Sequence, residues 1–589
     1  MLVPPVLPAL SALLAVAGIQ NPDAFKRALS ADTTEVGRAA RRAQENFERD
    51  RRLRLPASYG SSGRCDERIG RFCYWYDDGD TTLPADPPSV KDARRDLIAV
   101  LGGAAARQPE HDWLTGQHVR YLVEQDLLDA GVTTARGCRA TPWWCAALEG
   151  YATHAAGRYA AADSAFDRAL ALAPEPIRCA WLDWSVVLDE RLAGRVEEGS
   201  CAERVALADT VFWLGQPLLS RPGNDLRTEY LSRRVVALLR STARTAYGTP
   251  WGDDMEELLL RYGWSTRYSV AGNTARALEG PSVIGHQRSP AFQFLPVTRA
   301  DTGLEAWEWT FKPERPRSRY APPYADEFLA TTHYQVARFP RGDTTLVAAA
   351  LGATLADPGF RGRPLDQALA VSTGSARTVI TRRDSTRTPG AFLLAVPPSA
   401  ARSGQPAAAA GGGTPPSAAE PGAPLLVSLE TNPHGIRRFL RARTLVAPID
   451  RTTPLVLSDP LLFQAADELP RSLDEAVPRM LATDRVSRKA PVGVYWETAG
   501  PAGDSVSVSI ALVPFQRGLL GRIGQGLSLV GRRAPLTLEW QAGAAGERIT
   551  GRALELDLRR LKNGRYRLVI ELTGPAGSAT SERTIELVP

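Results

Sequence analysis

Residues 144–174 read WCAALEGYATHAAGRYAAADSAFDRALALAP, and the first third of the chain follows from how this stretch folds. Small and apolar residues recur at helical spacing on both sides of Gly157, which predicts two helices joined by a short turn. Gly150 and Ala162 let those helices approach closely, Phe166 fills the gap, and Ala169 is a further small position in the seam. Pro174 stops the second helix because it has no amide hydrogen to donate. Outward from here, helical periodicity runs from about residue 21 to 247 with little strand character. A loop interrupts it at 83–90 (LPADPPSV) before helix resumes over 91–101.

The succession Gly150, Gly157, Tyr159, Ala162, Phe166, Ala169 and Pro174 resembles the tetratricopeptide pattern. The family's leucine is displaced, with Glu149 in its place and Leu148 one residue early. One such repeat is about 34 residues, and an array needs roughly three to bury a core. Residues 113–131 and 180–192 are candidate degenerate neighbours; an irregular helical bundle is the alternative. The resemblance implies a helical, tetratricopeptide-like domain over 18–204 whose concave face binds a protein or peptide.

After Gly272 short apolar runs separated by Gly, Pro, Asp and Arg replace the helical period. Examples are YQVARF at 334–339, TLVAAAL at 345–351 and PLLVSL at 424–429. The Ala/Pro/Gly/Ser-rich stretch 397–424 reads as a flexible insert within a β-rich domain over 280–470. A short helical connector is expected over 472–482. Six alternating runs follow, at 492–497, 505–512, 536–540, 553–558, 566–572 and 583–588, with Lys562-Asn563-Gly564 as a tight turn. They predict an immunoglobulin-like β-sandwich over 490–589. The fold class is multidomain α+β: helical module, mixed segment over 205–275, β-rich domain and terminal sandwich.

The 589 residues carry a net charge of +6. Only Lys26, Lys91, Lys312, Lys489 and Lys562 stand among 71 basic residues, so arginine carries almost all the positive charge. Arginine pairs occur without a clustered basic stripe, which argues for genome composition and against nucleic-acid binding. All six cysteines, Cys65, Cys73, Cys138, Cys145, Cys179 and Cys201, fall early in the chain. Their even number at short spacings predicts disulfides in an oxidising compartment, with sequential pairing closing the shortest loops. C-x2-C spacing with nearby histidine is absent, so no metal site and no cofactor are expected. Residues 6–17 (VLPALSALLAVA), ending in Ala15-Val16-Ala17, read as the core and cleavage site of a signal peptide over 1–17, though no Lys or Arg precedes them. The run is shorter than the ~20 residues a bilayer requires, and no later segment reads as a membrane span. The expectation is an extracytoplasmic chain, periplasmic or secreted.

Phe212-Trp213, then Asn224-Asp225-Leu226-Arg227-Thr228-Glu229-Tyr230 and Arg233, look like the "NEFR…Y..R" lead-in of bacterial GWxTD-domain proteins. Pro250-Trp251-Gly252-Asp253-Asp254 stands where the name motif belongs, matching it at Trp251 and Asp254, and Leu260-Arg261-Tyr262-Gly263 stands for the "RYG" that follows. A literal Gly263-Trp264-Ser265-Thr266 ends in Arg267 in place of aspartate. HYQVARF at 333–339, LVLSDPLLF at 455–463 and the NGRYRL ending add to the similarity, which covers about two-thirds of the chain in the family's order. The resemblance implies an exported protein combining helical repeats and β modules, without an established catalytic activity. Read physically, Trp251 anchors its loop by burying its indole, and Asp254 caps the following element with Arg227 or Arg233 as ion partner.

Other motifs carry less. Asp301-Thr302-Gly303 offers one carboxylate where aspartic-protease chemistry needs two. Residues 518–526 are glycine-rich without the Lys-Ser/Thr of a phosphate loop. Arg341-Gly342-Asp343 reads as hairpin chemistry. The histidines are scattered, with His111, His118 and Glu124 sharing at most a helix face. No catalytic set emerges, and the primary reading is a non-catalytic, protein-binding scaffold of the cell envelope. The alternatives are an envelope hydrolase with its acid or base near Asp301 or Glu305, and a purely structural surface protein.

Overall fold

The computed structural model describes residues 22–31, 34–58, 67–74, 84–187, 194, 196–271, 282–287, 324–325, 327–373, 379–386, 390–397, 425–447, 449, 454–500, 502–515, 536–545 and 549–589. Residues 1–17, 398–424 and 518–526, together with Cys65, Asp301 and Glu305, lie outside them. The chain divides into two compact units. The first holds the described residues up to Pro217 and from Arg221 to residue 325; the second holds Leu218–Ser220 and the described residues from Glu327 onward.

In the first unit the helices are α1 (Pro22–Ser30), α2 (Glu35–Leu53), α3 (Pro88–Arg107), α4 (Asp112–Glu124), α5 (Leu128–Arg136), α6 (Pro142–Ala155), α7 (Tyr159–Leu172), α8 (Glu175–Trp181), α9 (Cys201–Gly215), α10 (Asp225–Ser241) and α11 (Asp253–Tyr262). Their ends follow local chemistry. Thr34 and Asn224 accept backbone amides at the starts of α2 and α10, Ser200 and Glu203 form a capping box on α9, and Gly157 turns α6 into α7 at φ 71°. From α2 to α7 each helix packs on the next, and α4 also touches α6. A side chain at Gly150 would come within 2.8 Å of the Phe166 ring, so the α6–α7 approach is set by that pair. Ala162, Phe166 and Ala169 are buried, and Pro174 precedes α8 directly after α7 ends.

Strands occur within the stretch whose pattern reads as helical. A β2–β3 hairpin (Glu67–Ile69, Phe72–Tyr74) and strand β1 (Ala57–Ser58) interrupt the helices; β1 joins a sheet with β4 (Ser265–Ala271) and β5 (Ser282–Gln287). The described residues of 205–275 and strand β5 fall in the same unit as the helices, apart from Leu218–Ser220. Of the candidate repeat 180–192, residues 188–192 lie outside the described residues; before them α8 ends at Trp181 and a 3-10 turn, Ser185–Val187, follows. α10 lies on α4, α6 and α7.

Cys138 pairs with Cys145 and Cys179 with Cys201, at Cα separations of 5.6 and 5.4 Å. No helix among the described residues is long and apolar enough to cross a membrane.

The second unit is a stack of sheets. A five-stranded sheet in the order β10-β9-β12-β13-β6 (Val379–Thr386, Leu365–Thr373, Leu425–Pro433, Arg438–Val446, Glu327–Ala330) faces a three-stranded sheet, β11-β8-β7 (Ala391–Val396, Thr344–Leu351, Tyr334–Arg341). Val347, Ala349 and Leu351 point into the core between them. Ala337, Phe339, Ala348 and Ala350 point the other way, against Leu461, Phe463 and Tyr495. Both faces of β8 are covered, which is why its sequence is a continuous apolar run instead of an alternation. Gly342 and Asp343 form the β7–β8 turn, with Gly342 at φ 56°.

The third layer is β14-β17-β15 with β20 beside β17 (Val456–Leu457, Val492–Ala499, Leu461–Gln464, Thr550–Leu556), and the fourth is β16-β22-β21-β18-β19 (Arg485–Ser487, Gly577–Val588, Gly564–Gly574, Ala502–Pro514, Leu536–Ala545). All six strands read at the C-terminal end are present. β14 and β15 precede residue 470 and pair with β17. The expected connector is the helix Leu473–Ala476 and a 3-10 turn, Val477–Arg479.

Candidate functional site

Helix α10 carries the residues that the family-like pattern picks out, and it is buried over most of its length. Arg227 is 3% exposed. Its guanidinium pairs with Asp163 and, at 2.8 Å, with Asp167, both on α7. Glu229 sits beside α6: its Oε2 lies 2.8 Å from His154 Nε2, and its Oε1 accepts Arg233 Nε at 2.7 Å. His154 Nδ1 lies 2.9 Å from the Thr228 hydroxyl. Arg233 donates to the Leu260 and Arg261 carbonyls, both at 2.9 Å, at the last turn of α11. Gly263 follows at φ 90°, and a Cβ there would come 3.2 Å from Arg233 Nη2. Only glycine both adopts that backbone and leaves the guanidinium its place. One helix thus ties α6, α7 and α11 together through charge-assisted hydrogen bonds. Burial alone would raise the Glu229 pKa, but Arg233 and His154 outweigh it and hold the carboxyl at about 2.

The motif proper lies elsewhere. Asp254 does not pair with Arg227 or Arg233, as the sequence suggested, because both are committed inside the helix stack. Its carboxylate receives a two-pronged ion pair from Arg71 at the β2–β3 hairpin, 2.7 Å on each oxygen. The Arg71 amide adds a bond at 3.0 Å and the Met255 amide one at 2.9 Å. The Arg71 hydrogen bond is the main reason Asp254 is held at about 2. Tyr262 packs on Ile69 of the same hairpin. Trp251 is half-buried, and its indole nitrogen finds no hydrogen-bond partner among the described residues. The loop anchor is therefore the Asp254–Arg71 clasp more than the indole.

A second buried network was not foreseen. Glu124 on α4 pairs with Arg120 at 3.0 Å and with Arg51 of α2 at 3.1 Å. Glu48 accepts Arg120 at 3.2 Å and the Tyr121 hydroxyl at 2.7 Å. Arg94 of α3 pairs with Asp86 at 2.6 Å. Burial would raise the Glu124 pKa, yet Arg120, Arg51, Arg240 and Arg94 hold it well below the carboxylate range. Glu124 is thus committed to arginines and forms no set with His111 and His118.

The row Thr228–His154–Glu229 has the order of a hydrolytic triad. Thr228 is fully buried and its hydroxyl also reaches the Asp225 carbonyl at 3.2 Å, so the row cross-links helices and presents no nucleophile. No family model matches the chain, and no curated protein matches it.

Proposed function

We propose that the chain is an exported, non-catalytic, protein-binding scaffold of the bacterial cell envelope, a GWxTD-like protein with a tetratricopeptide-like helical module and a terminal immunoglobulin-like sandwich. The observation that carries this reading is the engagement of the pattern residues. Arg227, Arg233, Asp254 and Gly263 each serve to fix one element against another, as a rigid binding platform requires. The two disulfides support an oxidising compartment. With α10 lying on α4, α6 and α7, the partner meets the residues of α3 and α7 that stay exposed, Val100 and Leu172 among them.

The test is a cross-linking pull-down from the host's envelope fraction with the full chain and with a variant carrying Arg95→Glu and Val100→Glu on α3 and Leu172→Glu on α7, all exposed positions. The scaffold reading expects a reproducible protein partner that the variant loses. The same partner with both chains moves the binding surface off these helices. No partner with the full chain overturns the scaffold and returns the hydrolase reading to the front.

A further inference from the structure

We infer that Cys179 and Cys201, once reduced, form with Glu175 a site for one thiophilic divalent cation of the zinc and cadmium class. The ligand atoms of these three residues all lie within 4.8 Å of one another, and among the described residues no other group of three His, Cys, Asp or Glu does so. Glu175 and Cys179 stand four residues apart on α8 and so share a helix face. Cys201 opens α9, where unpaired amides and the helix dipole favour a thiolate over a thiol. Glu175 is exposed and, among the described residues, its carboxylate takes part in no ion pair or hydrogen bond. Its carboxylate is available as a ligand. Two thiolates and one carboxylate give three protein ligands of a tetrahedral site, with water in the fourth position.

The disulfide and the metal site are two states of the same sulfurs. A dithiol reductant delivers two electrons and two protons, the Sγ–Sγ bond breaks, and the reductant leaves as its own disulfide. The cation then binds two thiolates as two protons pass to solvent. In an oxidising compartment the disulfide state closes the site. A scan for C-x2-C spacing misses the arrangement, because Cys201 comes from a different helix.

The full chain is reduced with a phosphine, which takes up oxygen from water as its oxide, desalted without air and titrated with cobalt(II). The thiolate-to-cobalt absorption band reports binding. The expected result is a band saturating at one cobalt per chain after reduction and absent before it. Cys179→Ser with Cys201→Ser abolishes that band, whereas Cys138→Ser with Cys145→Ser leaves it. Glu175→Gln weakens binding at least about tenfold, the lower end of what losing even an outer-shell partner costs. Glu175→Cys, a change at an exposed position, strengthens binding and adds a third thiolate to the band. The inference fails if the reduced chain gives no band, if the band survives Cys179→Ser with Cys201→Ser, or if both Glu175 variants bind as the parent does. Should the double serine variant not fold, the Glu175 pair decides.

Discussion

In the helical unit the side chains most completely withdrawn from water include Arg51, Arg94, Arg120 and Arg233, each held by carboxylates or carbonyls from another helix. In the β unit the cores between sheets are largely hydrocarbon, such as Val508, Ile510, Leu568 and Leu572 against Val494 and Trp496, and among the described residues the fully buried arginines are Arg441 and Arg443 of β13. The contrast has a backbone origin. A helix satisfies its own amides and carbonyls, so nothing in its main chain fixes where its neighbour lies. A strand shares its hydrogen bonds with the next strand, and the ladder sets the register before any side chain is consulted. Helical units thus need directional side-chain pairs for what sheets obtain from the main chain.

The sharpest way to break this comparison is Glu124→Ala, which leaves the buried Arg51 and Arg120 to share the single carboxylate of Glu48. Removing one partner of a buried pair costs roughly 3–5 kcal/mol. Amide exchange should accelerate across α2, α4 and α10 and spare β18 to β22; acceleration confined to α4 would show that the network does not hold the stack. The counterpart is Leu568→Ala in the last core, expected to cost about 2–5 kcal/mol through lost burial and a cavity. Its signature is faster exchange in β18, β21 and β22, with the helices unaffected.

Acid should separate the units more gently. Glu229 is held at about 2 in the folded chain against an ordinary 4.5. Its contribution is therefore complete above pH 4.5 and disappears as pH falls from there toward 2. Glu229→Gln should flatten the melting-temperature profile of the helical unit across that window; an unchanged slope would assign the acid response to other carboxylates. The smallest effect is expected from Arg71→Ala. Arg71 is half exposed, so solvent screens its clasp on Asp254 and the substitution should move the urea midpoint little, as is usual for a surface pair. A larger loss in urea titration would make the hairpin a structural lock.

How much could be read in advance follows the same division. Strands β18, β21 and β22 were legible because the core takes alternate side chains, such as Val508, Ile510, Leu568, Ile570, Leu572, Ile585 and Leu587, and that alternation is printed in the sequence. The α6–α7 hairpin was legible from Gly150 and Phe166, whose close approach is local. The ion network was not, since Glu48, Arg94, Glu124 and Arg240 are scattered over the chain and a charged residue ordinarily signals a surface. Arginine abundance read as genome composition includes some of the most buried residues in the protein. Arg71 as partner of Asp254 was missed for a related reason: the hairpin that presents it lies far upstream, in a region whose pattern reads as helix.

The doubly covered sheet β11-β8-β7 bears on synthesis. One of its faces is closed by β9 and β12, but the other waits for Phe463 and Tyr495. A chain leaving the ribosome carries the apolar face of Phe339, Ala348 and Ala350 uncovered until β17 has been made. A sheet buried on one side only would settle early. This one cannot until β17 has been made, and in that interval the nascent chain has most need of a holding chaperone.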